Sequence, residues 1–241
     1  MSSLYSVEFF DLQLRFAARV AEIAGVSLGE AVGTHTNIYV RLGMGPQLDA
    51  NNPDWVDYVA ALSKARTPAA WTYQLHRQRQ HLPAGPAHAA TVGCFSYAQA
   101  GQDRVRLHFQ VGAQHPESPL SIANLSLRQR ELAALLGMLK ASSGQDLCIV
   151  GASWLYNLPA YRRIFPQPYL AGLHDMAHPY QRLPLWGQFL NRDLSLRSAA
   201  AARFLAGVAK ASHLNELAAC FPLSVLTTSV PAQCIYDHLG L

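Results

Sequence analysis

The run "LCIVG", Leu147 to Gly151, most narrowly limits what this chain can fold into. It is uncharged, β-branched and too short for a helix, so it reads as a strand buried within a sheet. It follows closely on "LRQRELAALLGMLKAS", which reads as a helix, and a helix feeding a buried strand calls for mixed α and β layers. Beyond Gly151 the chain turns abruptly polar and aromatic at Ser153, Trp154, Tyr156 and Asn157, followed by Arg162 and Arg163. Ligands collect beyond strand ends in open sheets. Trp and Tyr stack or donate hydrogen bonds, and Asn fixes an amide or hydroxyl. Trp154, Tyr156 and Asn157 are therefore expected to shape a substrate site. The competing account is an amphipathic seam that packs the C-terminal segment.

Upstream, apolar residues at helical spacing (Val7, Phe10, Leu14, Ala17, Ala21, Ala24) predict a helix from about Ser6 to Ala24. "GVSLGEAVG" breaks that pattern with three glycines. "HTNIYVRLG" is β-branched and aromatic and predicts a strand. Two helices are announced by Asn52-Pro53-Asp54 and Thr67-Pro68, each placing a capping residue before a proline at the first helical position. "TVGCFSY" and "RVRLHFQV" predict a hairpin whose second strand alternates Val105, Leu107 and Phe109 against Arg106, His108 and Gln110. An Ala-rich helix at about 195–212 and a strand near 223–230 close the chain.

Half of the 241 residues are hydrophobic and 14% are charged, which excludes general disorder. The formal charge of +4 is carried by scattered arginine pairs rather than a basic stripe, so no nucleic-acid partner is expected. Glu8, Asp11, Arg15 and Arg19 interrupt any apolar leader near the N-terminus. The uncharged stretch Leu217 to Tyr236 contains Pro222, Pro231 and a Thr-Thr-Ser cluster, which suits a buried strand better than a membrane span. Cys94, Cys148, Cys220 and Cys234 form no C-x-x-C pair and argue for no disulfide framework. The expectation is a cytoplasmic protein acting on a small molecule, with no membrane partner.

Among candidate reactive groups, His108 on the polar face of its strand suits a general base. Cys94 in the neighbouring strand is a nucleophile only if a base lowers its pKa, and otherwise a buried thiol. His174 and His178, four apart with Asp175 between them, would share a helix face for a metal, but Gly172 and Pro179 argue against the helix, so no metal is expected. "THTN", Thr34 to Asn37, reads as a polar turn or a pocket edge. Ser126 and Gln129 fit a capping box, which would start a helix at about Leu127. Arg128 and Arg130 then lie at its positive end. Each is unfavourable there by about 0.3–1 kcal/mol unless a bound anion or a nearby carboxylate such as Glu131 compensates.

From residue 34 to 165 the expected order is strand, two helices, hairpin, helix, strand, helix. With "NLPA", Asn157 to Ala160, and the spacing of "ELAALLGMLKASSGQDLCIVGASWLYNLPA", it resembles the GCN5-related N-acetyltransferase (GNAT) fold. In that family the helix after a central strand holds the pyrophosphate of an acyl-coenzyme A, and a later strand ends in an Asn-x-x-Ala turn. The phosphate loop corresponds to "RQRELA", where Arg128 and Ala133 match and Glu131 stands in place of a glycine; Ile164 stands where a general-acid tyrosine is usual, with Tyr161 nearby. The resemblance implies an acyl-coenzyme A or another acyl- or phosphate-bearing donor held by Ser126, Arg128, Gln129 and Arg130. Catalysis would fall to His108, Tyr161 and Cys94, and substrate binding to Trp154, Tyr156, Asn157 and Arg106. The whole chain is then expected to be one α+β domain. A central mixed sheet flanked by helices forms the core at 34–170, with an N-terminal helix and loop at 1–33 and a C-terminal helical extension with a late strand at 171–241. The function expected is acyl or group transfer, or else a non-catalytic domain of that fold that binds a small molecule or protein.

Overall fold

The computed structural model describes residues 5–82, 88–110, 118–142, 147–176 and 184–241. The helices are α1 (Val7–Ala24), α2 (Leu28–His35), α3 (Ile38–Arg41), α4 (Pro53–Leu62), α5 (Pro68–Arg79), α6 (Leu125–Ser142), α7 (Pro159–Arg162), α8 (Gln167–Ala171), α9 (Ser198–Lys210), α10 (Leu214–Ala219) and α11 (Ala232–Leu239). The strands are β1 (Ala90–Val92), β2 (Phe95–Gln99), β3 (Arg104–Phe109), β4 (Cys148–Ser153), β5 (His174–Asp175) and β6 (Leu226–Pro231). They form one mixed sheet of six strands in the order β1-β2-β3-β4-β6-β5. The fold is α+β, as the alternation of helical and strand patterns predicts.

The chain partitions into two compact units, residues 1–86 with 178–222 and residues 87–177 with 223–241, and neither boundary of the expected 34–170 core is a division between them. The first unit is helical. Phe16 of α1 sits at its centre, with ring centroids 5.5 Å from Trp186, 5.5 Å from Phe204 and 5.3 Å from Phe221. A second aromatic seam runs Tyr39–Trp55–Tyr58–Trp71 at 5.3, 5.1 and 5.1 Å. The Asn52 side chain accepts from Asp54 N at 3.0 Å, so that cap works as its sequence predicts.

Two expectations for this unit fail. "GVSLGEAVG" is largely helical, because Ser27 Oγ accepts from Glu30 N at 3.1 Å and caps α2 despite the glycines. "HTNIYVRLG" is a helical turn, not a strand: Ile38, Tyr39 and Leu42 are buried on one side, a helical spacing that overrides β propensity. Thr36 and Asn37 are buried too, and Asn37 N donates to Gln13 Oε1 at 3.0 Å, so "THTN" is an internal turn.

The second unit contains the whole sheet. The predicted hairpin forms as β2–β3, but Gly93 and Cys94 add a tight turn that splits "TVGCFSY" into β1 and β2. Gly93 has φ +57, a left-handed conformation that costs glycine nothing. Phe95, Tyr97, Val105, Leu107, Ile149 and Val230 pack with Leu132, Leu135, Leu136 and Leu139 of α6 and with Ile235 and Tyr236 of α11. β3 and β4 are parallel, joined through α6, and every other pairing is antiparallel. Their pairing covers Arg104–Arg106 against Cys148–Val150, whereas β3 continues to Phe109 and β4 to Ser153. The two strands therefore part company at the end where the chain runs into α6 and into the Trp154–Asn157 turn.

Candidate functional site

The residues expected to hold the donor divide between two sides of α6. Its helix begins at Leu125, straight from a 3-10 turn at Ile122–Asn124, so Ser126 lies in the first turn rather than at the cap position. Asn124 Nδ2 donates to Ser118 O at 3.0 Å and Ser121 N to the same oxygen at 2.8 Å, which fixes the earlier start.

Arg128 points inward. It is 1% exposed, and its Nη2 lies 2.9 Å from Glu131 Oε1. Nη1 reaches Cys94 Sγ, and Glu131 Oε2 accepts from Cys94 N at 3.1 Å. The Glu131 carboxylate occupies the space that a Cβ on Gly93 would need. Glu131, which departs from the family's glycine, thus neutralises Arg128 and ties α6 to the β1–β2 turn. Arg128 is a buried structural cation facing that turn, and the local compensation foreseen from sequence is the arrangement found.

Ser126, Gln129 and Arg130 point the other way, into a cleft of about 460 Å³. Its floor is apolar, with Leu132 and Ala133 of α6, Ile164, Phe165 and Pro166 between α7 and α8, and Leu239 of α11; His238 joins the polar rim. Among the described residues no carboxylate lines it. Among the described residues of the lining Arg130 is the permanent cation, which makes the rim electropositive. The neighbouring Arg163 is committed elsewhere, its Nη2 donating to Leu120 O at 2.6 Å. Sequence reasoning missed His238 and Leu239 because "AQCIYDHL" was not recognised as a helix. Their signal was the 3.6-residue spacing of Ala232, Ile235, Tyr236 and Leu239 ahead of Gly240.

The residues expected at the substrate site are mostly structural. Tyr156 and Tyr161 are buried, and the Tyr156 hydroxyl lies 2.6 Å from that of Tyr169. Burial, and then the neighbouring phenols, hold the hydroxyls of Tyr156 and Tyr161 well above the usual tyrosine range. Tyr161 is enclosed by Phe109, Tyr156 and Phe165 at 5.2, 5.2 and 5.0 Å, so a general-acid position there is closed by packing. Asn157 Nδ2 donates to Trp154 O at 2.9 Å and to Ser224 O at 2.8 Å, stitching the turn to the residues before β6. Trp154 remains half-buried. The amphipathic-seam account therefore describes Tyr156 and Asn157.

His108 lies on the sheet face that also carries Ser96 and Arg106, with Ser96 its cross-strand partner. Its ring is 5.0 Å from that of His88, and its Nε2 is buried without a hydrogen-bond partner among the described residues. Burial, then His88 and Arg106, push its pKa from the ordinary 6.5 down to about 4. It is neutral at pH 7, as a base must be, but less basic than a free imidazole. The folded state releases the proton that the unfolded chain still binds between pH 6.5 and about 4, so acid favours unfolding over that window. Stability should be full above pH 6.5 and fall toward pH 4. His108→Gln should flatten that decline in denaturant midpoints measured from about pH 7 to about pH 4.5. A residual slope is expected from His76, whose pKa burial also lowers.

Cys94 stands in the β1–β2 turn, not in a strand, and burial raises its thiol pKa despite the opposing pull of Arg128. A nucleophile needs the reverse. Arg106 is exposed. His174 is exposed in β5, and Asp175 Oδ1 accepts from Ser224 Oγ at 3.0 Å; His178 lies outside the described residues. Among the described residues no three His, Cys, Asp or Glu side chains are grouped to hold a metal, and no helix is long and apolar enough to cross a membrane.

No family model, curated protein or solved structure matches this chain.

Proposed function

We propose that this chain is a small-molecule acyl- or group-transferase that takes an anionic donor in the cleft over the first turns of α6. The observation that carries the reading is the cleft itself. Ser126, Gln129 and Arg130, which the resemblance to the GNAT fold singles out for the donor, share a rim above an apolar floor, with no carboxylate among the described residues that line it. Such lining suits an amphiphilic anion, with its charged head at Arg130 and a non-polar part over Ile164, Phe165 and Pro166. The parallel strands β3 and β4, linked by α6 and no longer paired beyond Arg106 and Val150, are in keeping with the same reading. An acyl-coenzyme A fits that description of a donor. Arg128 is not part of the proposed site, and none of the three expected catalytic groups is assigned to it: Tyr161 is enclosed, burial raises the Cys94 thiol pKa, and His108 lies on the face of β3 opposite the one that packs on α6.

A ligand-binding domain without catalysis is the second reading. It is favoured by the enclosure of Tyr161 and the raised thiol pKa of Cys94, which leave little acid or nucleophile chemistry at hand.

Thermal-shift titration with coenzyme A, acetyl-coenzyme A and pyrophosphate tests the donor site. A ligand at about 100 times its dissociation constant adds roughly 2.7 kcal/mol, a rise of several degrees. Saturable stabilisation that is lost in Arg130→Ala and kept in His108→Ala is the expected result. Stabilisation by none of the three would remove the proposal. Turnover of acetyl-coenzyme A with an acceptor, lost in Arg130→Ala, then separates the transferase from the binding domain.

A further inference from the structure

The polar rim of the cleft contains one group that nothing in the family resemblance assigns. We infer that His238, carried by the C-terminal helix α11, donates a hydrogen bond to the anionic head of the donor and completes the grip of Arg130. This rests on the reading of the cleft given above. The head is a phosphate or pyrophosphate, whose several oxygens are shared between groups from separate elements.

Three observations carry the assignment. First, α11 holds His238 and Leu239 on the cleft together, the polar residue at its rim and the apolar one against its floor. Second, the helix is fixed rather than loosely appended. Ala232 N donates to Leu147 O at 2.7 Å, Ile235 and Tyr236 are buried in the sheet's core, and Lys140 Nζ donates to Leu241 O at 2.7 Å. A helix so fixed leaves only side-chain freedom to be lost when His238 meets a ligand. Third, the nearby carboxylates are turned away from the cleft. Asp237 Oδ1 accepts from Gln233 Nε2 at 2.6 Å, and Glu131 is occupied by Arg128 and Cys94 N. An anion entering the cleft therefore meets Arg130, His238, Gln129 and Ser126, with no carboxylate among the described residues of the lining.

Isothermal titration with inorganic pyrophosphate and with coenzyme A, at fixed salt and pH, tests this on the full chain. His238→Phe keeps the ring's bulk and removes its N–H donors, while His238→Gln keeps an N–H donor on a shorter side chain. His238→Phe should weaken both probes about fivefold to tenfold, with most of the loss recovered in His238→Gln. Arg130→Ala should weaken them at least as much. Binding by His238→Phe as tight as wild type, or equal losses in the two His238 variants, would overturn the assignment while leaving the cleft in place. Failure of wild type to bind either probe would instead remove the reading of the cleft, and this inference with it. His238 is exposed, so unchanged unfolding midpoints should confirm that both variants fold.

Discussion

Glu131→Ala should destabilise the second unit by about 3–5 kcal/mol, because it leaves the Arg128 guanidinium buried without its counter-charge. For a chain of this length that is a fall in unfolding midpoint of roughly 10 °C. The side chains of Arg128 and Glu131 are 1% and 12% exposed, so little solvent reaches the pair. Two further losses accompany it. Cys94 N loses its acceptor, and the β1–β2 turn loses the carboxylate that packs over Gly93. The matched replacement Arg128→Met with Glu131→Leu removes both charges together and should recover most of the loss, since a buried ion pair and well-packed apolar residues are of similar stability. Circular dichroism of the three proteins through denaturant titration measures these differences. A cost below about 1 kcal/mol for Glu131→Ala would be the signature of a solvated pair, and would put Arg128 back among the candidates for the donor.

Gly151→Ala should be the most damaging small substitution in the sheet, by about 1–3 kcal/mol for the added bulk and more where the tyrosine hydrogen bond breaks. A Cβ at this position would fall inside the contact distance of the Tyr156 and Tyr169 hydroxyl oxygens at once, and both side chains are fully buried. Neither ring can move freely, since Phe165 stacks on Tyr169 at 4.8 Å and Tyr161 lies 5.2 Å from Tyr156. Removing one hydroxyl makes room. Tyr169→Phe should cost about 1 kcal/mol alone, and Gly151→Ala in the Tyr169→Phe background should cost less than the sum of the two. Strict additivity of the two substitutions in denaturant unfolding would contradict the close approach.

The sheet and the donor cleft were legible in the sequence to different depths. "LCIVG" and the alternation from Val105 to Phe109 gave reliable strands because each fits one burial pattern and no other. The helices at α1, α4 and α5 were marked by amphipathic spacing or by Pro at the first position. "HTNIYVRLG" misled because its β-branched residues are held helical by burial of Ile38, Tyr39 and Leu42, which local propensity does not record. For the site, residue type picked out Ser126, Gln129 and Arg130, but not which arginine of the Arg128/Arg130 pair faces outward. Residues two apart on a helix point about 200° apart. Here the inward one was chosen by a carboxylate three residues on and by a turn 34 residues back in the chain. Tyr156 and Asn157 have the chemistry of ligand contacts, yet their partners, Tyr169, Ser224 and Gly151, lie in other elements that only the folded sheet brings near. His238 belongs to the same class: its role depends on where α11 packs, not on any neighbour in sequence.

The central claim is that an anionic donor occupies the cleft between α6, the Ile164–Pro166 segment and α11. Hydrogen–deuterium exchange of the full chain with and without saturating coenzyme A tests it most directly, because it reports where a ligand binds as well as whether it does. Slower exchange confined to peptides covering 125–133, 163–171 and 232–241 is the predicted result. Unchanged exchange in all three segments, or protection arising only elsewhere in the chain, would contradict it.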